Sequence, residues 1–250
     1  MTFVGFFGCI LLAFAPAFSV FLLVISRNAQ LIILSIGGSF FWLLSALLAA
    51  IWWYIIPPLR TAYPWIIICS IIFQEALRFG FFSLYVRAEK GFIAERERQT
   101  ASLTSHPDPL RANIAIGWGA GVAHSLVSYV TLLWEYSGPA SYFSHNCSVS
   151  IFIVMAVQSF CFIVLHMLWS IIGYEGFVSR NPIKMSVVVL THLCASFLTM
   201  LNMASCGAGM SMVVILTLGV SAYTFYVCRG SRVYHVSCLP CFNCTEERQK

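Results

Sequence analysis

The chain has 250 residues, of which 60% are hydrophobic and 9% charged, with a formal net charge of +5 and a mean hydropathy of +0.86. A soluble domain carries about 25% charged residues. This composition excludes a soluble enzyme or a nucleic-acid-binding module and leaves an all-α polytopic membrane protein, its basic residues flanking apolar runs among membrane lipids.

An apolar run of roughly 18 residues or more reads as a membrane span. Seven can be placed: 3–25, 31–56, 63–86, 112–134, 149–173, 185–206 and 210–227. They predict one seven-transmembrane-helix bundle over residues 1–250, with 228–250 as a cytosolic tail. The first run has no Lys or Arg before it and is longer than the ~7–15 residues of a signal-peptide core. Its first basic residue is Arg27, which predicts a lumenal or extracellular N-terminus. The alternation of loops then puts Arg27, Arg87, Lys90, Arg96, Arg98, Arg111, Arg180, Lys184, Arg229, Arg232, Arg248 and Lys250 in the cytosol. Arg60 alone falls on the other side, and Arg78 lies inside a span. Cytosolic loops attract Lys and Arg, so the N-terminus is expected outside and the C-terminus in the cytosol.

In chain order, the first span contains Pro16, which frees a carbonyl and bends a helix. The second ends in Trp52-Trp53-Tyr54, as an interfacial aromatic belt would, and Pro57-Pro58 stops it. The third holds Gln74-Glu75-Ala76-Leu77-Arg78. Glu75 and Arg78 are three apart and share a helix face. Charges at membrane depth cost about 2.5–3.5 kcal/mol each on insertion scales, so they face the bundle interior and pair. Two readings stand: an intrahelical ion pair that locks helices together, or a catalytic or coupling carboxylate. Residues 87–98 read as a continuation of that helix beyond the membrane, and 100–109 as a connecting loop.

In the fourth span, Gly117, Gly121 and Ser125 fall four apart on one face that also carries His124. Small residues at that spacing let a second backbone approach closely. The partner helix is either inside the bundle or on another subunit. Asn146-Cys147-Ser148 matches an N-glycosylation acceptor on the outer side, close to the fifth span. Asn243-Cys244-Thr245 matches too, on the cytosolic side. His166 in the fifth span and His192 in the sixth give, with His124, three intramembrane histidines. Structural hydrogen bonding, a water-lined site and a metal site are all open to such a set. No HExxH pattern or pair of histidines four apart on one helix is present, and no metal or cofactor is expected. In the tail, Cys238, Cys241 and Cys244 lie beside a span and near arginines, as acylated cysteines do. Inert thiols and a cramped zinc site with His235 are the other readings. Cys147 and Cys206 both fall on the outer side, where they could pair.

The residues also exclude chemistries. Asp108 is the one aspartate, whereas an aspartyl protease needs two carboxylates sharing a proton. There is no phosphate-cradling loop and no G-x-S-x-G elbow. A buried Glu–Arg pair, buried histidines and a small-residue face fit a scaffold subunit, and they leave open an enzyme with Glu75 as base assisted by His166 and His192.

Several stretches, in order, resemble the anterior-pharynx-defective (Aph) subunit family of gamma-secretase: Phe6-Phe7-Gly8-Cys9, Ala13-Phe14-Ala15-Pro16-Ala17, Phe41-Trp42-Leu43-Leu44-Ser45, Gln74-Glu75 with Arg78-Phe79, Gly117 with Gly121, Gly138-Pro139, Leu165-His166 and His192-Leu193. The resemblance spans the first six runs. It implies a non-catalytic subunit that pairs with nicastrin and holds presenilin, with the presenilin enhancer completing the complex. It further implies processing of Notch-type receptors and amyloid-precursor-type substrates, in endoplasmic reticulum, Golgi, endosomal and plasma membranes. Assembly roles would fall on Gly117, Gly121, His166 and His192. Ser125 replaces the third glycine of the animal pattern, and His124 is an addition to it. Glu75, Arg78, His166 and His192 also resemble the remains of a glutamate-type intramembrane protease site, in which Gln74-Glu75 replaces a paired Glu-Glu.

Overall fold

The computed structural model describes residues 3–57, 61–99, 108–130, 150–231 and 233–234. Its helices are α1 (Phe3–Val20), α2 (Ala29–Ile55), α3 (Tyr63–Gln99), α4 (Pro109–Ser125), α5 (Ile151–Val178), α6 (Pro182–Met200) and α7 (Cys206–Gly230). α1 continues as a π-helical turn, Phe21–Ile25, and α4 as another, Leu126–Val130. No strand occurs among the described residues. Among the described residues, six helices are long and apolar enough to cross a membrane. α4 has only 17 residues before its π-helical turn, and glycines and alanines fill it where its neighbours carry large apolar side chains.

Local chemistry sets the helix ends. The sequence places the fourth span from residue 112, yet α4 starts at Pro109. Asp108 caps it by accepting from the Leu110 N–H at 3.3 Å, and Pro109 takes a first-turn position where no N–H is needed. α2 opens on Asn28, whose Oδ1 accepts from Gln30 N at 2.8 Å. α6 opens on Asn181, which accepts from Ile183 N at 3.0 Å. Arg180, at φ 52°, makes the tight turn before it. Cys206, which the hydropathy pattern assigns to the sixth span, begins α7 instead. The chain leaves α6 through a 3₁₀ turn, Leu201–Met203, and extends at Ser205, where φ is −158° and ψ 111°.

α4 is the centre of the bundle, packed chiefly between α2 and α5. On one side, Gly38 of α2 lies under the Ile116 carbonyl and Gly119 of α4 under the Ser35 carbonyl. Ser39 Oγ adds a hydrogen bond to Gly119 O at 2.8 Å. On the other side, Gly117 lies against the main chain of His166 and Met167, Gly121 against Ile163, and Ser125 Oγ donates to Ser159 O at 3.1 Å. Those pairings show α5 running antiparallel to α4. The face built from Gly117, Gly121 and Ser125 is therefore covered by the chain's own α5. Trp118 reaches α1, donating to Ala17 O at 2.7 Å. Large apolar side chains such as Ile33, Ile36, Phe40, Leu218 and Phe225 cover the outside.

At the end of the bundle where the basic residues gather, the chain turns back after α7. Ser231 Oγ donates to Glu175 Oε2 at 2.6 Å and accepts from Tyr234 N at 3.2 Å. Lys184 Nζ lies 3.1 Å from the other Glu175 oxygen. Tyr234 is fully buried and donates to Ile171 O at 2.9 Å. Burial pushes its phenol well above the usual range, so the hydroxyl remains a donor.

A Cβ at residue 119 or 38 would collide with main-chain carbonyls, which cannot rotate aside. Gly119→Ala and Gly38→Ala should each destabilise the detergent-purified chain by about 1–3 kcal/mol, measured as a lower unfolding midpoint. Gly219 has nothing near its Cβ position. Gly219→Ala should leave the midpoint unchanged or raise it, because alanine is the better helix former.

Candidate functional site

The polar groups of the bundle converge from four helices. α3 supplies Glu75 and Arg78, α4 His124, α5 His166 and α6 His192. Glu75 Oε1 is 3.1 Å from Arg78 Nη1 and 2.6 Å from His192 Nδ1. Arg78 Nη2 lies 3.0 Å from His166 Nδ1. His166 Nε2 lies 3.0 Å from His124 Nδ1. Glu75, Arg78, His166 and His192 are all buried, the two histidines to within 1% of completely.

The contacts dictate where the protons sit. A guanidinium only donates, so His166 Nδ1 accepts from Arg78 and its ring proton is on Nε2. That nitrogen therefore donates to His124 Nδ1, which leaves the His124 proton on its Nε2. His192 Nδ1 donates to the carboxylate. The result is a directed chain, Arg78 to His166 to His124, beside a carboxylate held by a cation and an imidazole.

Aromatic rings wall this chain. Trp169 stacks on His192 with centroids 4.2 Å apart, and the Arg78 guanidinium sits 5.6 Å over the Trp169 ring. Trp169 Nε1 donates to Thr191 Oγ1 at 2.9 Å. Trp42 stacks on His124 at 5.3 Å and donates through Nε1 to Gln74 Oε1 at 3.0 Å. Gln74 Nε2 in turn donates to Ser70 Oγ at 3.2 Å. Hydropathy singles out neither Trp169 nor Trp42 as a network residue, because an indole in a membrane helix has no signature that separates it from ordinary core; Trp42 enters the sequence reading only within the Phe41–Ser45 stretch.

Arg78 Nη1 and Glu75 meet as an ion pair without hydrogen-bond alignment, and Glu75 Oε2 has no partner among the described residues. No group of three His, Cys, Asp or Glu residues is arranged to hold a metal ion among those residues. His166 Nδ1 accepts from a guanidinium and His192 Nδ1 donates to a carboxylate, so neither of these two nitrogens offers a lone pair to a metal.

A cavity of about 390 Å³ lies toward the Cys206 end, lined by His124, Ser128, Gln158 and Asn202 together with Ile67, Met155 and Phe162. Asn202 Nδ2 donates to Gln158 Oε1 at 3.0 Å, while Gln158 Nε2 and Asn202 Oδ1 are buried without partners among the described residues. His124 reaches this cavity; Glu75, His166 and His192 do not line it. Asn146, Cys147, Cys238, Cys241 and Cys244 lie outside the described residues.

A family model described as Aph-1 protein matches residues 4–231. The gamma-secretase subunit Aph-1 of Drosophila melanogaster is 33% identical over 202 residues, which cover 81% of this chain and 83% of that protein. The gamma-secretase subunit Aph-1b of Danio rerio is 30% identical over 251 residues, covering 96% and 95%. The gamma-secretase subunit APH1-like of Arabidopsis thaliana is 32% identical over 212 residues, covering 83% and 85%. The match takes in every helix that supplies the buried network, and the chain belongs to the Aph-1 family.

Proposed function

We propose that this chain is a non-catalytic scaffold subunit of gamma-secretase, stabilising presenilin and nicastrin together with the presenilin enhancer subunit. The observation that carries the reading is the family match over residues 4–231, among relatives named as subunits of that complex. In this reading the bundle crosses the membrane seven times, N-terminus lumenal and C-terminus cytosolic, and α4 with its π-helical turn is the seventh crossing. The protein resides in the endoplasmic reticulum, Golgi, endosomes and plasma membrane. Processing of Notch-type receptors and amyloid-precursor-type proteins would be the activity of the assembled complex.

The geometry supports a structural role for the network. A general base must meet its substrate or a water, whereas the Glu75 carboxylate is 4% exposed and held by Arg78 and His192. Gln74, which stands where a second carboxylate would be in a glutamate-type protease, accepts from the Trp42 indole N–H instead. The small-residue face acts on assembly through the shape of the bundle, since α5 already occupies it.

Mild-detergent purification of the chain at native levels should bring down presenilin, nicastrin and presenilin enhancer in stoichiometric amounts. A chain that purifies alone, and whose cleavage of membrane substrates is lost in Glu75→Gln, would overturn the scaffold reading. Gly121→Leu should leave the chain inserted but abolish co-purification, because a large side chain meets the main chain of Ile163.

His166→Ala and His192→Ala should each remove about 1.5–3 kcal/mol of stability, the worth of a hydrogen bond to a charged group, and lower complex yield together with mature presenilin. His192→Asn, which keeps a donor near the Nδ1 position, should restore part of that yield; no recovery would speak against a purely hydrogen-bonding role. A glycosylation acceptor appended to the N-terminus should be glycosylated if that end is lumenal. Acylation of Cys238, Cys241 and Cys244 predicts hydroxylamine-sensitive lipid labelling that disappears when all three are serine.

A further inference from the structure

The cavity of about 390 Å³ is lined by polar groups that lack partners. Gln158 is 3% exposed, and its Nε2 meets no acceptor among the described residues. Asn202 Nδ2 takes the other end of that amide, Oε1, at 3.0 Å, and Asn202 Oδ1 is likewise without a partner among them. Turning both amides end for end would change nothing in the balance, because one NH₂ and one oxygen would still be left over. His124 brings a second donor. Its Nδ1 accepts from His166 Nε2 at 3.0 Å, so its own proton is on Nε2, where no described residue accepts it.

The hydroxyls along the same wall offer the opposite function. Ser125 Oγ donates to Ser159 O at 3.1 Å, Ser128 Oγ to His124 O at 2.8 Å and Thr199 Oγ1 to Ser196 O at 2.7 Å. Each spends its one proton on a main-chain carbonyl and keeps its lone pairs. An occupant that satisfies this lining must therefore donate at some points and accept at others. An acyl chain does neither. An anion only accepts, and it would face the hydroxyl lone pairs and the free amide oxygen. Water does both. Cavities stay dry when their lining is apolar, whereas here Ile67, Met155 and Phe162 share the wall with the amides, the hydroxyls and the imidazole. The volume far exceeds the ~10–15 Å³ that one water needs.

On its inner side the cavity ends at an aromatic wall. The Phe162 ring lies 4.9 Å from the His124 ring and 6.5 Å from that of Trp169, between the cavity and the inner histidines. Glu75, Arg78, His166 and His192 do not line the cavity.

We propose that this cavity is a water-filled inlet whose water-binding groups are the Gln158–Asn202 amide pair and the His124 Nε2–H, and that Phe162 closes it off from the inner network. The last proton of the chain from Arg78 through His166 to His124 is donated to water. His124 is thus the point at which the polar network meets solvent through this cavity. The proposal stands on the lining of the cavity and owes nothing to the scaffold reading.

The test uses the full chain in lipid nanodiscs. Ser159→Cys and Ser196→Cys place thiols on the cavity wall, Leu218→Cys on the lipid-facing surface and Ser170→Cys at a buried position off the cavity. A charged methanethiosulfonate reacts with thiolate, which needs water to form. Peptide mass mapping should show residues 159 and 196 labelled at least about ten-fold faster than residues 218 and 170. In the unsubstituted chain with ¹⁵N-histidine, solid-state NMR should give a water-exchange cross-peak for the His124 ring N–H and none for that of His166, the His124 signal being identified by its loss in His124→Gln. Residue 159 labelled no faster than residue 218 would mean a dry or lipid-filled cavity and would overturn the proposal. Residue 170 labelled as fast as residue 159, a water cross-peak from His166, or none from His124 would overturn it as well. Co-purification of other subunits bears on none of these outcomes, so this proposal and the scaffold role stand or fall separately.

Discussion

The bundle depends on how closely α4 approaches α2 and α5. Among lipids there is no hydrophobic gain in bringing two apolar helices together, so dispersion between near backbones and hydrogen bonds must hold them. α4 achieves this on two sides at once. Gly119 and Gly38 bring it against α2, and Gly117 and Gly121 bring it against α5. His124 can reach His166 only because Gly121 has no side chain to hold α5 away, its Cβ position lying 3.1 Å from the His166 Cβ. The polar chain is thus a consequence of the glycine packing.

Once assembled, the network resists rearrangement for an electrostatic reason. A buried charge that loses its partner costs about 3–5 kcal/mol, and Arg78 serves two acceptors on two helices, Glu75 within α3 and His166 on α5. Glu75 in turn joins α3 to α6 through His192. A shift of any one helix by a turn would strand a charge or an imidazole nitrogen in an apolar interior. Trp169 fits the same logic, its face taking the cation's field while its N–H is satisfied by Thr191. Buried polar groups specify helix register in some proteins.

Much of this was legible in the amino-acid pattern. Six helices follow hydropathy closely, because length and apolarity alone set a membrane helix. The Glu75–Arg78 pair follows from a three-residue spacing at membrane depth, and the histidines stand out because ionisable groups there are rare. The order of bonding was hidden. Periodicity gives the face on which His124 lies but not which of two neighbouring helices it meets; the structure places α5 there, where the pattern left a partner subunit equally open. Helix ends were misplaced where capping overrides hydropathy, at Asp108-Pro109 and at Ser205-Cys206. Gln74 reads as a relic beside Glu75, yet its amide accepts from Trp42, a contact between α2 and α3 that no local pattern announces.

The same core cluster links the centre to the end of the chain. Tyr234 packs in one group with Ala112, Ala115 and Ile116 of α4 and with Ile171 and Tyr174 of α5. Glu175 stands one turn beyond Ile171 on α5, and its two carboxylate oxygens hold Lys184 at the start of α6 and Ser231 just past α7. Unlike Glu75, this carboxylate sits where the basic residues gather, and its partners are a lysine ammonium and a hydroxyl instead of a guanidinium and an imidazole. Ala112 and Ala115, on the first turns of α4, lie buried in the cluster that holds the Tyr234 ring. Tyr234 is itself fully buried. The turn after α7 is therefore part of the bundle's packing, since its Tyr234 shares a core cluster with α4 and α5.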